Sequence, residues 1–145
     1  MADIAAIRAE LATRLQTLLG NTGQASAYWQ TNPTPPTLQV VGVGPVDYDQ
    51  TFARGGDLLT VTVEGLAGST ADRAAQEQID NWCDTTGSTS VKAAIETERP
   101  AAVTLGGLVA SCRVTGHTRP LLTQVQTTGG GFDTWTVEFT LEIRT

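Results

Sequence analysis

The chain has 145 residues, a length at which a single domain with one continuous apolar core is the commonest arrangement. Hydrophobic residues make up 40% of the sequence and charged residues 17%, and the formal net charge is -6. The Lys and Arg residues are scattered singly, which disfavours nucleic-acid binding in a groove because such binding needs a basic patch. Charged residues interrupt the first apolar positions, and no run reaches the roughly 20 apolar residues of a membrane span. We therefore expect one acidic domain over residues 1–145, with neither a signal peptide nor a membrane span.

The first half of the chain predicts a helix followed by strands. Apolar residues recur at helical spacing over Asp3–Leu19, with Asp3 as the N-cap and Gly20 as the stop. Alternating apolar residues predict three strands, and the last of them is strictly alternating. These strands are expected at Ala25–Trp29, Leu38–Val43 and Asp57–Leu66, with a break at Asn32–Pro36 and an irregular segment at Gly42–Arg54.

The second half predicts two more helices and a hairpin. A capping box at Ser69 and Asp72 precedes a helix over Thr70–Asp84, and a shorter helix over Ser88–Glu98 must end by Pro100. The expected strands are Leu108–Thr118, its continuation Leu121–Gln126, and a last strand from Trp135, with the turn at Gly129–Gly131. The order of elements predicts an α+β fold, an antiparallel or mixed sheet with helices packed on one face and a C-terminal β-hairpin.

The residues that carry enzyme or metal chemistry are few and isolated. His117 is the single histidine, and we expect it at a strand edge or on the surface; the alternative is a base that folding brings to a serine or cysteine. Cys83 and Cys112 have no neighbour at metal-ligand spacing, so reduced, buried thiols are expected, with a structural disulfide as the alternative. Asp47 and Asp49 lack the further oxygen ligands of a calcium loop. The sequence predicts no enzyme, no cofactor and no metal.

Two other groups of residues have an ordinary structural interpretation. Gly42 and Gly44 follow a strand, but Asp47 stands where the phosphate-binding fingerprint needs a third glycine. The three tryptophans lie on predicted apolar faces, and we expect core packing for them, with an interface role as the alternative for the first. They are Trp29, Trp82 and Trp135.

The order of the segments resembles the tail terminator, or tail completion, proteins of long-tailed bacteriophages, particularly those of actinobacterial hosts. The resemblance spans nearly the full chain and is weakest over Thr118–Gly131. It rests on the N-terminal helix and on the segments Asn32–Thr37, Tyr48–Gln50, Arg54–Gly55, Leu59–Leu66, Ala71–Trp82, Gly87–Ala94 and Trp135–Glu138.

The resemblance implies a virion protein at the junction of tail and neck, assembled in the host cytoplasm. Such a subunit forms a homo-oligomeric ring, expected to be a hexamer, that caps the tail-tube protein, stops tail elongation and offers a joining surface to the neck or connector protein. DNA passes through the lumen without sequence-specific binding, and an acidic lining would repel its phosphates. We expect interface residues in two loops: Asp47, Tyr48, Asp49, Gln50, Arg54 and Gly55 in one, and Gly129, Gly130 and Gly131 in the other.

Two other classes of function remain open at this point. Within the structural class, the chain is alternatively a head-completion or connector protein, or a tail-tube subunit. From a different class, a small enzyme or ligand-binding domain can occupy the same kind of α+β scaffold.

Overall fold

A computed structural model describes residues 3–30, 33–49, 56–68, 73–127 and 130–145. Over these residues the chain forms helices and strands in the order α1, β1, β2, β3, α2, α3, β4, β5, β6. The helices are α1 (Ile4–Leu19), α2 (Arg73–Cys83) and α3 (Val91–Ile95). The strands are β1 (Gln24–Ser26), β2 (Thr37–Asp47), β3 (Leu58–Leu66), β4 (Ser111–His117), β5 (Leu121–Thr127) and β6 (Gly130–Arg144). Among the described helices, none is long and apolar enough to cross a membrane.

The strands form one mixed sheet in the order β1-β2-β3-β6-β4. Only the β1 and β2 pair is parallel, and the other pairs are antiparallel. Strand β6 pairs along one side with β3 and along the other with β4 and then β5. The predicted mixed α+β fold with a C-terminal hairpin is therefore confirmed, as is the expectation that β5 continues the ribbon that β4 begins.

One hydrophobic core joins the helices to one face of the sheet. The predicted alternation is confirmed, because Val61 and Val63 of β3 and Leu141 and Ile143 of β6 are all fully buried. Helix α1 contributes the buried row Ile7, Leu11, Leu15 and Leu19. Its predicted ends are also confirmed, since the Asp3 carboxylate accepts a hydrogen bond from the Ala6 N–H and Gly20 is the C-cap.

Several predicted boundaries are wrong, each for a local reason. Strand β1 stops at Ser26 because the Ser26 hydroxyl bonds to both the N–H and the carbonyl of Tyr28, which turns the chain. Strand β2 continues through the predicted irregular segment to Asp47, because bulges at Val40/Gly42 and Val43/Val46 absorb the glycines and the proline without ending the pairing. The predicted capping box at Ser69 and Asp72 lies outside the described residues.

The second half also departs from expectation. Helix α3 is shorter than predicted because Ser90 is its N-cap and Glu96 leaves helical geometry. Strand β4 begins at Ser111, later than expected. Gly130 and Gly131 belong to β6, where they pair with Thr127 and Gln126, so they are not part of the turn as predicted. Trp82 is buried as expected and Trp135 is partly buried against the core, but Trp29 is exposed, so its predicted core position is wrong.

A glycine in β3 lets α2 approach the sheet closely. A Cβ atom on Gly65 would lie 2.9 Å from the Trp82 ring and 3.1 Å from a Leu38 methyl carbon. Because Trp82 and Leu38 are both buried, neither side chain has open space into which it can move. The indole of Trp82 thus lies directly over the strand, in the space that a side chain at position 65 would need.

We expect Gly65→Ala to lower the free energy of unfolding by about 1–3 kcal/mol, the usual cost of overpacking a core. Gly116→Ala is the matched control, since Gly116 is also a strand glycine and a Cβ there would meet nothing within 4 Å. Urea unfolding followed by circular dichroism measures both. Equal effects of the two substitutions would contradict the assigned contact.

An ion cluster fastens α1 to the loop that follows α3. The Arg14 guanidinium donates to Glu98, to Glu10 at 2.9 Å and to the Ile95 carbonyl at 2.7 Å. The second Glu98 oxygen accepts from the Thr104 N–H at 2.9 Å. Hydrogen bonding from Arg14 and from backbone N–H groups lowers the pKa of Glu98 from 4.5 to about 2, although partial burial opposes this shift.

This lowered pKa predicts a pH dependence of stability. The Glu98 carboxylate contributes its full stabilisation above the ordinary carboxyl pKa near 4.5, and the contribution is lost as the pH falls from there toward 2. We expect Glu98→Gln to cost about 1–3 kcal/mol at pH 7 and to remove this part of the acid sensitivity. Glu77→Gln, which breaks the exposed pair with Arg73, is the control and should change stability little. Urea unfolding curves recorded between pH 2 and 7 measure the stability lost at pH 7 and its dependence on pH for both variants.

Candidate functional site

The first predicted interface segment lies at the end of β2, and we call its described part, Asp47–Asp49, the Tyr48 segment. Asp47 is the last residue of the strand and pairs with Leu58. Tyr48 follows with 71% of its surface exposed, and Asp49 has a positive φ of 55°. The Asp49 N–H donates to the Asp57 carboxylate at 3.1 Å, which fixes the path of the chain after the strand. The other predicted residues of this segment, Gln50, Arg54 and Gly55, lie outside the described residues.

The second predicted segment belongs to a projecting hairpin, which we call the hairpin arm and define as Leu121–Thr127 with Gly130–Trp135. Strand β3 ends its pairing with β6 at Thr136, so the arm extends past the end of β3. Leu121 and Leu122 in the arm have 50% and 54% of their surfaces exposed. Gly130 and Gly131 lie in the arm, and Gly129 is outside the described residues.

The two predicted segments lie at opposite ends of the sheet and are not brought together. Asp47 is level with Leu58, where β3 begins, whereas the arm starts beyond Leu66, where β3 ends. The nine residues of β3 separate them, which corresponds to about 30 Å at the usual rise of a strand. One subunit can therefore make two contacts that do not overlap.

The sheet surface opposite the helices is polar and acidic, and we call it the polar face. Glu64 of β3 lies directly opposite Glu138 of β6, and Gln39 donates to Glu64 at 3.2 Å. Burial raises the pKa of Glu64, the hydrogen bond from Gln39 opposes this, and the negative charge of Glu138 adds to the rise. Its other members alternate with core residues and include two arginines: Thr60, Thr62, Arg113, Thr140, Glu142 and Arg144.

A cleft of about 440 Å³ lies between the end of α2 and strand β4. Its lining includes Cys83, His117, Lys92, Arg113 and Phe139. The Cys83 sulfur lies 3.6 Å from His117 Nδ1, and the same nitrogen lies 2.8 Å from the Thr118 carbonyl oxygen. Because a carbonyl oxygen only accepts, Nδ1 carries the proton, and it cannot take a proton from the thiol.

The electrostatics of the cleft also keep the thiol protonated. Burial raises the pKa of Cys83 to about 11, and the negative charges of Asp80 and Asp84 add to this rise. A nucleophilic cysteine needs the opposite shift, toward the thiolate. Burial likewise raises the pKa of Cys112, to about 12. Both cysteines are free thiols, Cys112 buried as expected and Cys83 only half-buried.

The described residues hold no group of three or more His, Cys, Asp or Glu side chains that could bind a metal ion. Asp47 and Asp49 therefore form no such group with their described neighbours. No protein-family model matches this chain, and no curated protein matches it in sequence. A functional proposal accordingly depends on the surfaces described above and on the order of the segments.

Sequence reasoning located one exposed loop and the hairpin but missed two features. The closeness of Cys83 and His117 depends on α2 packing beside β4, which no spacing in the sequence encodes. The exposed Leu121 and Leu122 were predicted only as part of a strand. The adjacent Pro120 and the absence of alternation at this leucine pair are the signals that mark them as surface residues.

We expect Cys83 to react slowly with iodoacetamide at pH 7.5, because its raised pKa leaves little thiolate. His117→Ala should leave the rate within about twofold, since the imidazole does not deprotonate the sulfur. Asp84→Asn should increase the rate, because a negative charge near the thiolate is removed. Mass spectrometry of labelled peptides, with Cys83→Ser as the blank, measures these rates. Fast labelling that His117→Ala abolishes would instead indicate an activated dyad.

Proposed function

We propose that this chain is a phage tail terminator, a ring-forming virion protein that caps the tail tube at its junction with the neck. The observation that carries the proposal is the hairpin arm, which continues past the end of β3 and exposes Leu121 and Leu122 at its base. Neither leucine belongs to the core of its own subunit, so the arm presents an exposed apolar surface. It suits a protein that works by contacting copies of itself and neighbouring proteins.

The separation of the two candidate surfaces supports the same proposal. A terminator meets the tail tube, the neck and its own copies, and so it needs several independent surfaces on one small subunit. The Tyr48 segment and the hairpin arm lie at opposite ends of the sheet, with β3 between them. We assign the Tyr48 segment to a contact with the tube or with a neighbouring subunit.

The polar face supplies a surface suited to a DNA channel. Glu64, Glu138 and Glu142 carry its negative charge, and threonines fill the positions between them. Arg113 and Arg144 lie on the same face beside Glu142, and Arg144 donates to the Glu142 carboxylate at 3.2 Å. The pair Glu64 and Glu138 lies farther along the strands, away from these arginines, and repels the phosphate backbone. We therefore propose that the polar face is turned toward the lumen of the ring, where the genome passes without sequence-specific binding.

Electron microscopy of particles made without this gene product tests the proposal. We expect overlong tails without heads, because nothing stops the growth of the tube. Empty heads with tails of normal length would instead indicate a head-completion or connector protein. Normal virions in the absence of the protein would exclude all of these roles and favour the ligand-binding alternative.

The assigned contact of the Tyr48 segment has its own test. We expect the double variant Tyr48→Ala, Arg54→Ala to give the overlong, headless tails of the deletion, because the exposed phenol and the guanidinium are removed from the tube contact. Arg73→Ala is the control, since Arg73 is highly exposed on α2 at a different place. Tails of normal length that still join heads would rule out a role for this segment.

A further inference from the structure

The edges of the sheet differ in how they are protected against pairing with another strand. The outer edge of β4 is covered by an ion pair on α3. Lys92 Nζ lies 2.5 Å from the Glu96 carboxylate and donates to the Val114 carbonyl at 3.1 Å. The same carboxylate accepts from the Val114 N–H at 3.4 Å. Backbone groups that an incoming strand would use are thus already bonded.

The outer edge of β2 is protected in other ways. Strand β1 covers its first residues by pairing with Thr37–Gln39. Beyond that point two bulges interrupt the strand, and Pro45 lacks the N–H that a neighbouring strand needs. Regular pairing with another chain is therefore blocked along β2.

The outer edge of β5 has none of these protections. Strand β5 pairs with β6 on one side, and no other described strand lies along its second side. Leu121 and Leu122 point to opposite faces of the arm, because successive residues of a strand alternate. A partner that spans this edge contacts one half-exposed leucine on each face.

The opposite edge of the sheet, beside β1, has a second pair of exposed apolar side chains. Tyr28 and Trp29 follow β1 and have 57% and 59% of their surfaces exposed. The Arg8 guanidinium stacks over the Tyr28 ring at 4.6 Å and donates to the Ala27 carbonyl at 2.8 Å, which holds the ring in place. Tyrosine, tryptophan and arginine are the residues most enriched where protein interfaces gain their affinity.

The distribution of charge favours a second copy of this chain as the partner. A chain of net charge -6 repels its own copies, so a contact between copies must form where charge is sparse. The stretch Asn21–Val46, which includes Tyr28 and Trp29, has no charged residue. Between Thr118 and Thr136, only Arg119 and Asp133 are charged, and they cancel. The segments that form the two apolar surfaces thus carry no net charge, and the Arg8 guanidinium over Tyr28 adds one positive charge to a contact between acidic chains.

We propose that the hairpin arm of one copy packs through Leu121 and Leu122 on Tyr28 and Trp29 of the next copy. The two surfaces are different and lie at opposite edges of the sheet, with β2, β3 and β6 between them. A contact between unlike surfaces repeats from copy to copy and closes into a ring when the rotation permits. The inference names the subunit contact of the ring proposed above, and in that sense it rests on the proposed function.

Mixing two variants tests the contact. The arm variant carries Leu121→Glu and Leu122→Glu, and the acceptor variant carries Tyr28→Glu and Trp29→Glu. All four positions are exposed, so both variants should keep the wild-type circular dichroism and urea midpoint. The control is Leu108→Glu, at an exposed leucine outside both surfaces. Sedimentation velocity up to about 1 mM protein gives the mass of each sample, a range in which even a weak contact is populated.

We expect the wild type and the control to assemble, and each variant alone to sediment as a 15.3 kDa monomer. Mixed in equal amounts, the two variants should form a dimer of twice that mass and nothing larger. The acceptor variant supplies the intact arm, the arm variant supplies the intact acceptor, and no further pair of intact surfaces remains. Assembly of either variant alone would overturn the inference, since it would indicate arm pairing with arm or another surface. A mixture that stays monomeric, or a wild type that never assembles, would overturn it too.

The outcome can be separated from that of the terminator proposal. If the arm variant still ends tails at normal length in virions, the arm contact is wrong and the terminator role stands. If the variants behave as expected in solution but virions lacking the protein have tails of normal length, the contact stands and the terminator role is wrong.

Discussion

Strand β6 is the element on which the rest of the structure depends. It runs for 15 residues, and its C-terminal part lies between β3 on one side and β4 on the other. Strand β3 has only nine residues, so it cannot cover the whole length of β6. Backbone hydrogen bonds to Ala67 and Gly68 still reach Trp135, and among the described strands residues 130–134 of β6 pair with β5 alone. A mismatch in strand length thus produces the free end of the hairpin arm, while Leu121 and Leu122 lie at its base, on the side of β6 away from β3.

Two clusters of charged residues stabilise the fold. Arg14 and Glu98 fasten α1 to the loop after α3, and Lys92 and Glu96 close the edge of β4. In both clusters the charged side chains bind backbone groups as well as their ion-pair partners. These bonds satisfy polar backbone atoms that would otherwise be left unpaired near the core. The thiol and imidazole in the cleft follow the same pattern, since the histidine proton is bound to a carbonyl oxygen. These polar contacts therefore stabilise the fold, and the proposed function depends on exposed apolar groups.

The treatment of the sheet edges links the fold to the proposed assembly. An unprotected edge strand invites pairing with other chains, and natural proteins usually cover, bend or charge such edges. This chain protects β2 and β4 and leaves β5 open, with a leucine on each face of it. The same segment is nearly uncharged in a chain of net charge -6. An unprotected strand edge without charge repulsion promotes aggregation of a monomer, but it allows a ring subunit to bind its neighbour.

Elements whose apolar residues repeat with a clear period could be predicted from side-chain spacing alone. Helix α1 and its caps, the core-facing residues of β3 and the alternating end of β6 follow from side-chain spacing, which is a local property. The α+β class follows from the order of these elements. The other boundaries differ from prediction where a bulge or a capping hydroxyl intervenes. Strand β2, for example, continues to Asp47 because β3 pairs with it there, which the residues of β2 do not reveal.

Which surfaces remain open depends on contacts between segments far apart in the chain. Trp29 and Leu122 are exposed because no described element packs over them. The meeting of Cys83 with His117 and the protection of β4 by α3 likewise join residues far apart in the chain. The spacing of apolar residues indicates which secondary structure each segment favours and which of its faces tends to be buried. Contacts between segments decide which of those preferences are satisfied within one subunit and which are left for a partner.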